Sequence, residues 1–354
     1  MTNITSQPDA IHVGTQPRWR TLAPVVVLIF LAPVLGELLM GVLTVSKLWL
    51  LAPEMGVYGL AALLIREAVR RQRRGWGSIL VLGIAYALTE ECVILQTSLT
   101  PQFFPPAYTG NFGWAFGVHW IYLVAMLWYE SVYAIVLPIY LTEILFPAQR
   151  DQPWLARRGL IGAAIIFLLA SLGVWQLWSH VGLQKYGASP YHVPLAYIGL
   201  AILVIVGLVF VTLGRRPTAS SGITTTRRTW PSWIVGFLAF GHGLAWFVLI
   251  ILGYLPATTL PGVSPLLPIG LGLLWIVLGL WFVRYLSVAP GWQDRHRLAL
   301  IFGASLASMV GGIMVVLAAS RIDQIGKLIF DLSAIILFVY LGWRLRQRQR
   351  LSKP

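Results

Sequence analysis

Gly77-Ser-Ile-Leu-Val-Leu-Gly-Ile-Ala-Tyr-Ala-Leu-Thr-Glu-Glu-Cys-Val-Ile-Leu-Gln-Thr-Ser-Leu99 is apolar almost throughout and reads as a membrane-spanning helix. About 20 residues, rising 1.5 Å each, cross the roughly 30 Å of hydrocarbon in a bilayer. Its two adjacent acids, Glu90 and Glu91, break the pattern. An ionisable side chain at that depth costs roughly 2.5 to 3.5 kcal/mol on insertion scales, so two in succession call for a compensating role.

Working outward, further apolar runs fall near 22–44, 52–67, 118–146, 159–180, 193–214, 232–254, 265–286, 298–319 and 325–343. The second is the weakest, because Pro53, Glu54, Arg66 and Glu67 crowd its ends. The chain is 58% hydrophobic and 11% charged with mean hydropathy +0.77, against roughly 25% charged residues in soluble domains. The expected fold class is therefore all-α: a polytopic transmembrane helical bundle of about ten spans. A membrane β-barrel would need alternating strands of about ten residues, and the runs here are continuous. The single cysteine, Cys92, leaves neither a disulfide framework nor a cysteine-based zinc site.

A net charge of +14 would suggest nucleic acid in a soluble protein, but the distribution of the charge argues otherwise. Arginines gather at 18 and 20, 70–74, 150–158, 215–228, 295–297 and 344–350, which are alternate loops. The intervening loops hold only Lys47, Lys185, Arg321 and Lys327. The positive-inside rule then places both termini and every basic loop in the cytoplasm of a multi-pass plasma (inner) membrane protein. The implied partners are the lipid bilayer and anionic lipid at the basic loops, not nucleic acid. Residues 1–21 are polar, so the first helix is expected to act as its own insertion signal. The chain divides into a cytoplasmic tail (1–21), a four-helix polar-site region (22–150), two further spans (151–214), a cytoplasmic linker (215–231), a four-helix scaffold region (232–343) and a basic tail (344–354). In the scaffold, Gly303, Ala307 and Gly311 repeat at i, i+4, i+8 and form a small-residue face for close helix contact.

Acids are unevenly placed. Glu37, Glu67, Glu90, Glu91, Glu130 and Glu143 fall in or at the ends of the first four spans, and spans five to nine hold none. By helical rise, Glu90 and Glu91 stand about 20 Å from the cytoplasmic end of their span, with Glu37 at a similar height. Glu130 approaches the same level from the opposite direction. Carboxyls crowded together in lipid share protons, so the set Glu90, Glu91, Glu130 and Glu37 would present an acid beside a base. Neighbours on a helix point about 100° apart, which puts Glu90 on a face with Ile94 and Thr97, and Glu91 on one with Leu95 and Ser98. Glu67 and Glu143 read as interfacial ion pairs, and Lys327 with Asp331 as an ordinary i, i+4 pair. His242 between two glycines and His119 at the start of the fourth span are candidate metal ligands, although their spacing matches no metal motif. The charge-free aromatic connection 101–118 would roof the helices that carry Glu90, Glu91 and Glu130.

Gly83-Ile-Ala-Tyr-Ala-Leu-Thr-Glu-Glu-Cys-Val-Ile-Leu-Gln96 resembles the diglutamate helix of the CAAX-protease and bacteriocin-processing family of intramembrane proteases. The resemblance implies a glutamate-based membrane hydrolase, and it carries over Glu90 and Glu91 alone. Leu95 stands where that family has Arg, Phe116 and His119 are three apart rather than four, and no His-x-x-x-Asn follows. Three functions fit these residues: a membrane-embedded acid/base enzyme acting on a lipid-soluble or membrane-bound substrate, a proton-coupled small-molecule transporter, or a non-catalytic membrane subunit. The sequence specifies no cofactor.

Overall fold

The structure is a computed structural model that describes residues 18–101, 112–182, 192–214, 229–254 and 262–351. The N-terminal tail, the linker and most of the aromatic connection lie largely outside these residues. The described chain is almost wholly helical. Its long elements are α1 (Leu22–Leu38), α2 (Val45–Arg71), α3 (Trp76–Ile94), α4 (Trp120–Leu145), α5 (Arg157–Gly182) and α6 (Leu195–Leu213). They continue with α7 (Ser232–Tyr254), α8 (Leu266–Ser287), α9 (Asp294–Val316) and α10 (Arg321–Leu351). Among the described residues, α2 to α10 supply nine helices long and apolar enough to cross a membrane; α1 is shorter.

Where the bundle faces outward it is greasy. Leu168, Leu203, Leu266 and Ile336 are all more than 60% exposed, on four different helices. A soluble protein does not present apolar side chains over so much of its circumference, and the architecture is that of a multi-pass membrane protein.

Several boundaries differ from the apolar runs, each for a local reason. The first run continues to residue 44, but the helix stops at Leu38 because Gly41 takes a left-handed φ of +77°. The amides of Val42 and Leu43 fold back onto the carbonyl of Glu37 at 3.1 and 3.3 Å. The third run ends as a helix at Ile94, since Gln96 is also left-handed (φ 58°) and Thr97–Leu99 form a 3₁₀ turn. Before α4 the chain makes a two-stranded hairpin, Trp114–Ala115 with Val118–His119. Its turn residues Phe116 and Gly117 both have positive φ, as a tight hairpin turn requires. The ninth helix begins at Asp294, earlier than its apolar run, so spans five to nine do carry an acid; it pairs with Arg150 at 2.6 Å and ties the two regions together.

Glycines set how closely the helices approach. A Cβ on Gly303 would stand 2.1 Å from the carbonyl oxygen of Gly236, one on Gly243 would meet the Ala307 methyl at 2.7 Å, and one on Gly311 would meet the Phe247 ring at 2.9 Å. The small-residue face on α9 is therefore the seam with α7. In the polar-site region, a Cβ on Gly59 would lie 2.3 Å from the Ile29 carbonyl oxygen, so α1 and α2 touch backbone to backbone. Gly59→Ala should lower the thermal midpoint in detergent, by an amount equivalent to about 1–3 kcal/mol of overpacking. Gly207→Ala, with nothing within 4 Å, should leave the midpoint unchanged. Equal midpoints for both variants would refute the close approach.

Candidate functional site

Every acid near the centre of the polar-site region sits at a place where the helix is locally widened. α-Helical hydrogen bonding gives way to π-helical turns at Val34–Leu38, Met55–Gly59, Glu90–Ile94 and Glu130–Val136. These contain Glu37, Glu90, Glu91 and Glu130, and one begins just after Glu54. Of the π turns in the described residues, only Trp178–Gly182 lies away from these acids. In such a turn the amide reaches back five residues, as Leu95 does to the carbonyl of Glu90 at 2.7 Å and Leu39 to that of Val34 at 3.0 Å. The extra residue rotates the side chains off their regular stripe and weakens the ladder, so packing has to hold the turn in place.

Small residues provide that packing. A Cβ on Gly36, the neighbour of Glu37, would lie 3.3 Å from the Ala134 methyl. One on Gly83, two turns before Glu90, would stand 3.2 Å from the Cα of Ser131, the neighbour of Glu130. The segments carrying Glu37, Glu90 and Glu130 are thus clamped together. All three side chains are buried, and each lies within electrostatic reach of the other two. Glu54, which the sequence reading left at the crowded end of the second run, acts on both Glu37 and Glu90 and belongs to the group.

Hydroxyls do most of the work of satisfying these acids. Tyr58 donates to Glu90 Oε1 and also lies against Glu37. The Tyr86 ring packs edge-on against Tyr58 at 6.0 Å, and its buried hydroxyl lies against Glu90 without closing a hydrogen bond of good geometry. Glu54 Oε2, Glu90 Oε2 and Glu130 Oε2 are likewise buried and unpartnered. Glu91 has hydrogen-bond partners of its own, although its charge also acts on Glu90 and Glu130. Its Oε2 accepts from Thr97 and from Ser98 (3.4 Å), and its Oε1 accepts from the Tyr122 hydroxyl at 3.3 Å. The regular-helix expectation, Thr97 with Glu90 and Ser98 with Glu91, therefore holds only for Ser98. The π turn and the left-handed Gln96 bring both hydroxyls back over Glu91.

Sequence reasoning missed Glu54, Tyr58, Tyr86 and Tyr122. Two of them carried a signal, since Tyr58 follows Glu54 by four residues and Tyr86 precedes Glu90 by four, each pair sharing a helix face. The histidines fall elsewhere. The His242 ring stacks on Trp275 (4.9 Å, 5°) and meets the edge of Trp128, as a packing residue. His119 caps α4, its Nδ1 accepting the Tyr122 amide at 3.2 Å. Among the described residues no three of His, Cys, Asp and Glu are placed to hold a metal ion. Burial lowers the His119 pKa from 6.5 to about 4.

A second buried polar cluster forms an ion-pair network with Glu67 and Glu143. Arg66 is fully buried, bonds Glu67 at 2.9 Å and stacks its guanidinium 3.6 Å above the Trp154 ring. It also donates to the carbonyls of Gln149, Arg150 and Gln152, while Arg70 clasps Glu143 through two bonds of 2.7 and 2.6 Å. Glu67 accepts the amides of Trp154 and Leu155. This network fastens the α4–α5 connection beneath α2. Lys327 and Asp331 also pair, but in the interior, where Lys327 donates to the Met309 carbonyl as well.

Compared with known proteins, the chain has no significant match to a protein-family model, a curated protein or a solved structure. The geometry alone must therefore carry the functional argument.

Two expectations follow. Arg66→Met removes a buried partner of Glu67 and Glu143 and takes a donor from the carbonyls of Gln149, Arg150 and Gln152, which should cost roughly 3–5 kcal/mol, read as a loss of thermal stability or of folded yield. A midpoint within error of the parent would show that the network is slack. Folded His119 takes up its proton only near pH 4, whereas an unfolded histidine does so near 6.5. The unfolded chain binds more protons between those values, so His119 makes the fold less stable as pH falls through that window. Thermal midpoints of His119→Asn should decline less steeply than those of the parent over the same range.

Proposed function

We propose that the chain is a membrane-embedded acid/base enzyme, hydrolase-like, acting on a lipid-soluble or membrane-bound substrate. In this reading the bundle lies in a plasma membrane with both termini cytoplasmic, and Glu37, Glu54, Glu90 and Glu130 meet within the bilayer. The observation that supports it best is their convergence on one neighbourhood from α1, α2, α3 and α4. Acids in mutual reach share protons, so one can donate while its neighbour accepts.

Glu90 is the natural centre. One of its oxygens is held by Tyr58 and the other is unpartnered, which leaves it available to take a proton from water. Glu130 or Glu37 then returns a proton to the leaving group, and Tyr58, between Glu37 and Glu90, can pass one across. The buried hydroxyl of Tyr86, beside Glu90, offers a hydrogen bond to the oxygen on which charge develops. Glu91 accepts from three hydroxyls and is a positioning residue in this scheme. The resemblance of its helix to the diglutamate proteases supports hydrolysis as the chemistry.

Turnover of membrane-soluble ester and peptide substrates by protein in lipid nanodiscs tests the reading. Glu90→Gln should reduce kcat by about 10²–10⁴ with the thermal midpoint retained. Glu91→Gln should cost less in kcat than Glu90→Gln does. A Glu90→Gln protein with parental kcat would exclude the scheme. The competing reading is a proton-coupled transporter, favoured by the interruption of α1 beside Glu37 and by the π turns, which resemble the broken helices of transporter sites. Counterflow of an unmodified solute in proteoliposomes would decide for it.

A further inference from the structure

The carboxyl group is rich in acceptors and poor in donors. Glu54 Oε2, Glu90 Oε2 and Glu130 Oε2 are each buried without a partner, and Glu90 and Glu130 are more than nine-tenths buried. A buried acceptor with no donor costs on the order of 1–3 kcal/mol, and several within mutual reach repel one another besides. The groups acting most strongly on Glu90 and Glu130 are other acids and tyrosines. Lys47 acts on Glu37 and Glu54, but forms no salt bridge with either among the described residues. A shared proton can join Glu90 to Glu130, and a cation that brings several N–H donors would satisfy the remaining acceptors together.

Two observations narrow the kind of cation. No three of the described acids are placed to ligate a metal ion, which requires oxygens converging on one point at short range. An ammonium instead directs three N–H bonds outward to separate acceptors. Tyr58 and Tyr86, set edge to face beside Glu90, add the aromatic surface on which organic cations rest. We propose that this site takes a substrate carrying a protonated primary amine on an apolar body, with Glu90 and Glu130 receiving its N–H groups and Glu54 completing the shell. A lipid-soluble amine satisfies both the acceptors inside and the apolar surface outside.

The inference rests on the carboxyl group being the substrate site, and its test needs no turnover. Radiolabelled n-octylamine is titrated onto the full chain in zwitterionic nanodiscs, with protein-free nanodiscs as the blank and unlabelled n-octanol and octyltrimethylammonium as competitors. The expected result is saturable binding of the amine, no competition by octanol, and competition by octyltrimethylammonium weaker by roughly tenfold because it has no N–H to donate. Glu90→Gln and Glu130→Gln should each weaken amine binding by roughly tenfold or more. Gly207→Ala, whose added Cβ meets nothing within 4 Å and lies outside the carboxyl shell, should give a folded reference that still binds. Binding no greater than the blank, equal competition by octanol, or full binding in both Gln variants would overturn the proposal. Amine binding without any hydrolysis would instead leave this inference standing and remove the enzyme reading, whereas hydrolysis of neutral substrates alone would do the reverse.

Discussion

Burying a carboxyl among helices is expensive, and this bundle buries three near one another at Glu37, Glu90 and Glu130, with the half-buried Glu54 beside them. Much of the local architecture answers that cost. Each acid needs a donor or a proton, yet the backbone amides of a regular helix are already used by its own carbonyls. Tyrosine is well suited to the task because its ring packs with the apolar core while its hydroxyl reaches the acid. Tyr58, Tyr86 and Tyr122 occupy such positions.

The π turns belong to the same solution. A uniform α-helix would send Glu90 and Glu91 to faces about 100° apart and aim their hydroxyl neighbours along separate stripes. One widened turn, followed by the left-handed Gln96, gathers Thr97 and Ser98 onto Glu91 and leaves Glu90 facing α1, α2 and α4. Such turns are less well bonded than α-helix, and Gly36, Gly59 and Gly83 compensate by letting backbones meet closely. Dispersion at these contacts substitutes for the regularity that the widened turns give up.

The two buried polar clusters differ in how their charges are matched. Around Arg66, charges of both signs are matched and both terminal guanidinium nitrogens reach loop carbonyls, with Nε 3.4 Å from Glu143 but making no hydrogen bond, so the group is paired internally and acts as a fastening. Around Glu90 the charges are of one sign and several oxygens lack a partner. Paired charges hold a fold together, whereas a buried group of like charges costs stability and is a candidate for function.

Hydropathy and charge along the chain were enough to establish a helical, multi-span protein, because lipid demands long apolar runs whose backbone is bonded internally. They also located the acids in the first four helices and identified Gly303, Ala307 and Gly311 as a packing face. Helix ends were less legible, since Gly41 and Gln96 stop apolar runs through backbone conformation rather than polarity. The membership of Glu54, the different hydroxyl partners of Glu90 and Glu91, and the placing of His242 between tryptophans were decided only in three dimensions. Those outcomes depend on π turns and on interhelical approaches of a few ångströms, and a rotation of one residue in a helix changes which neighbour a side chain meets without changing its hydropathy at all.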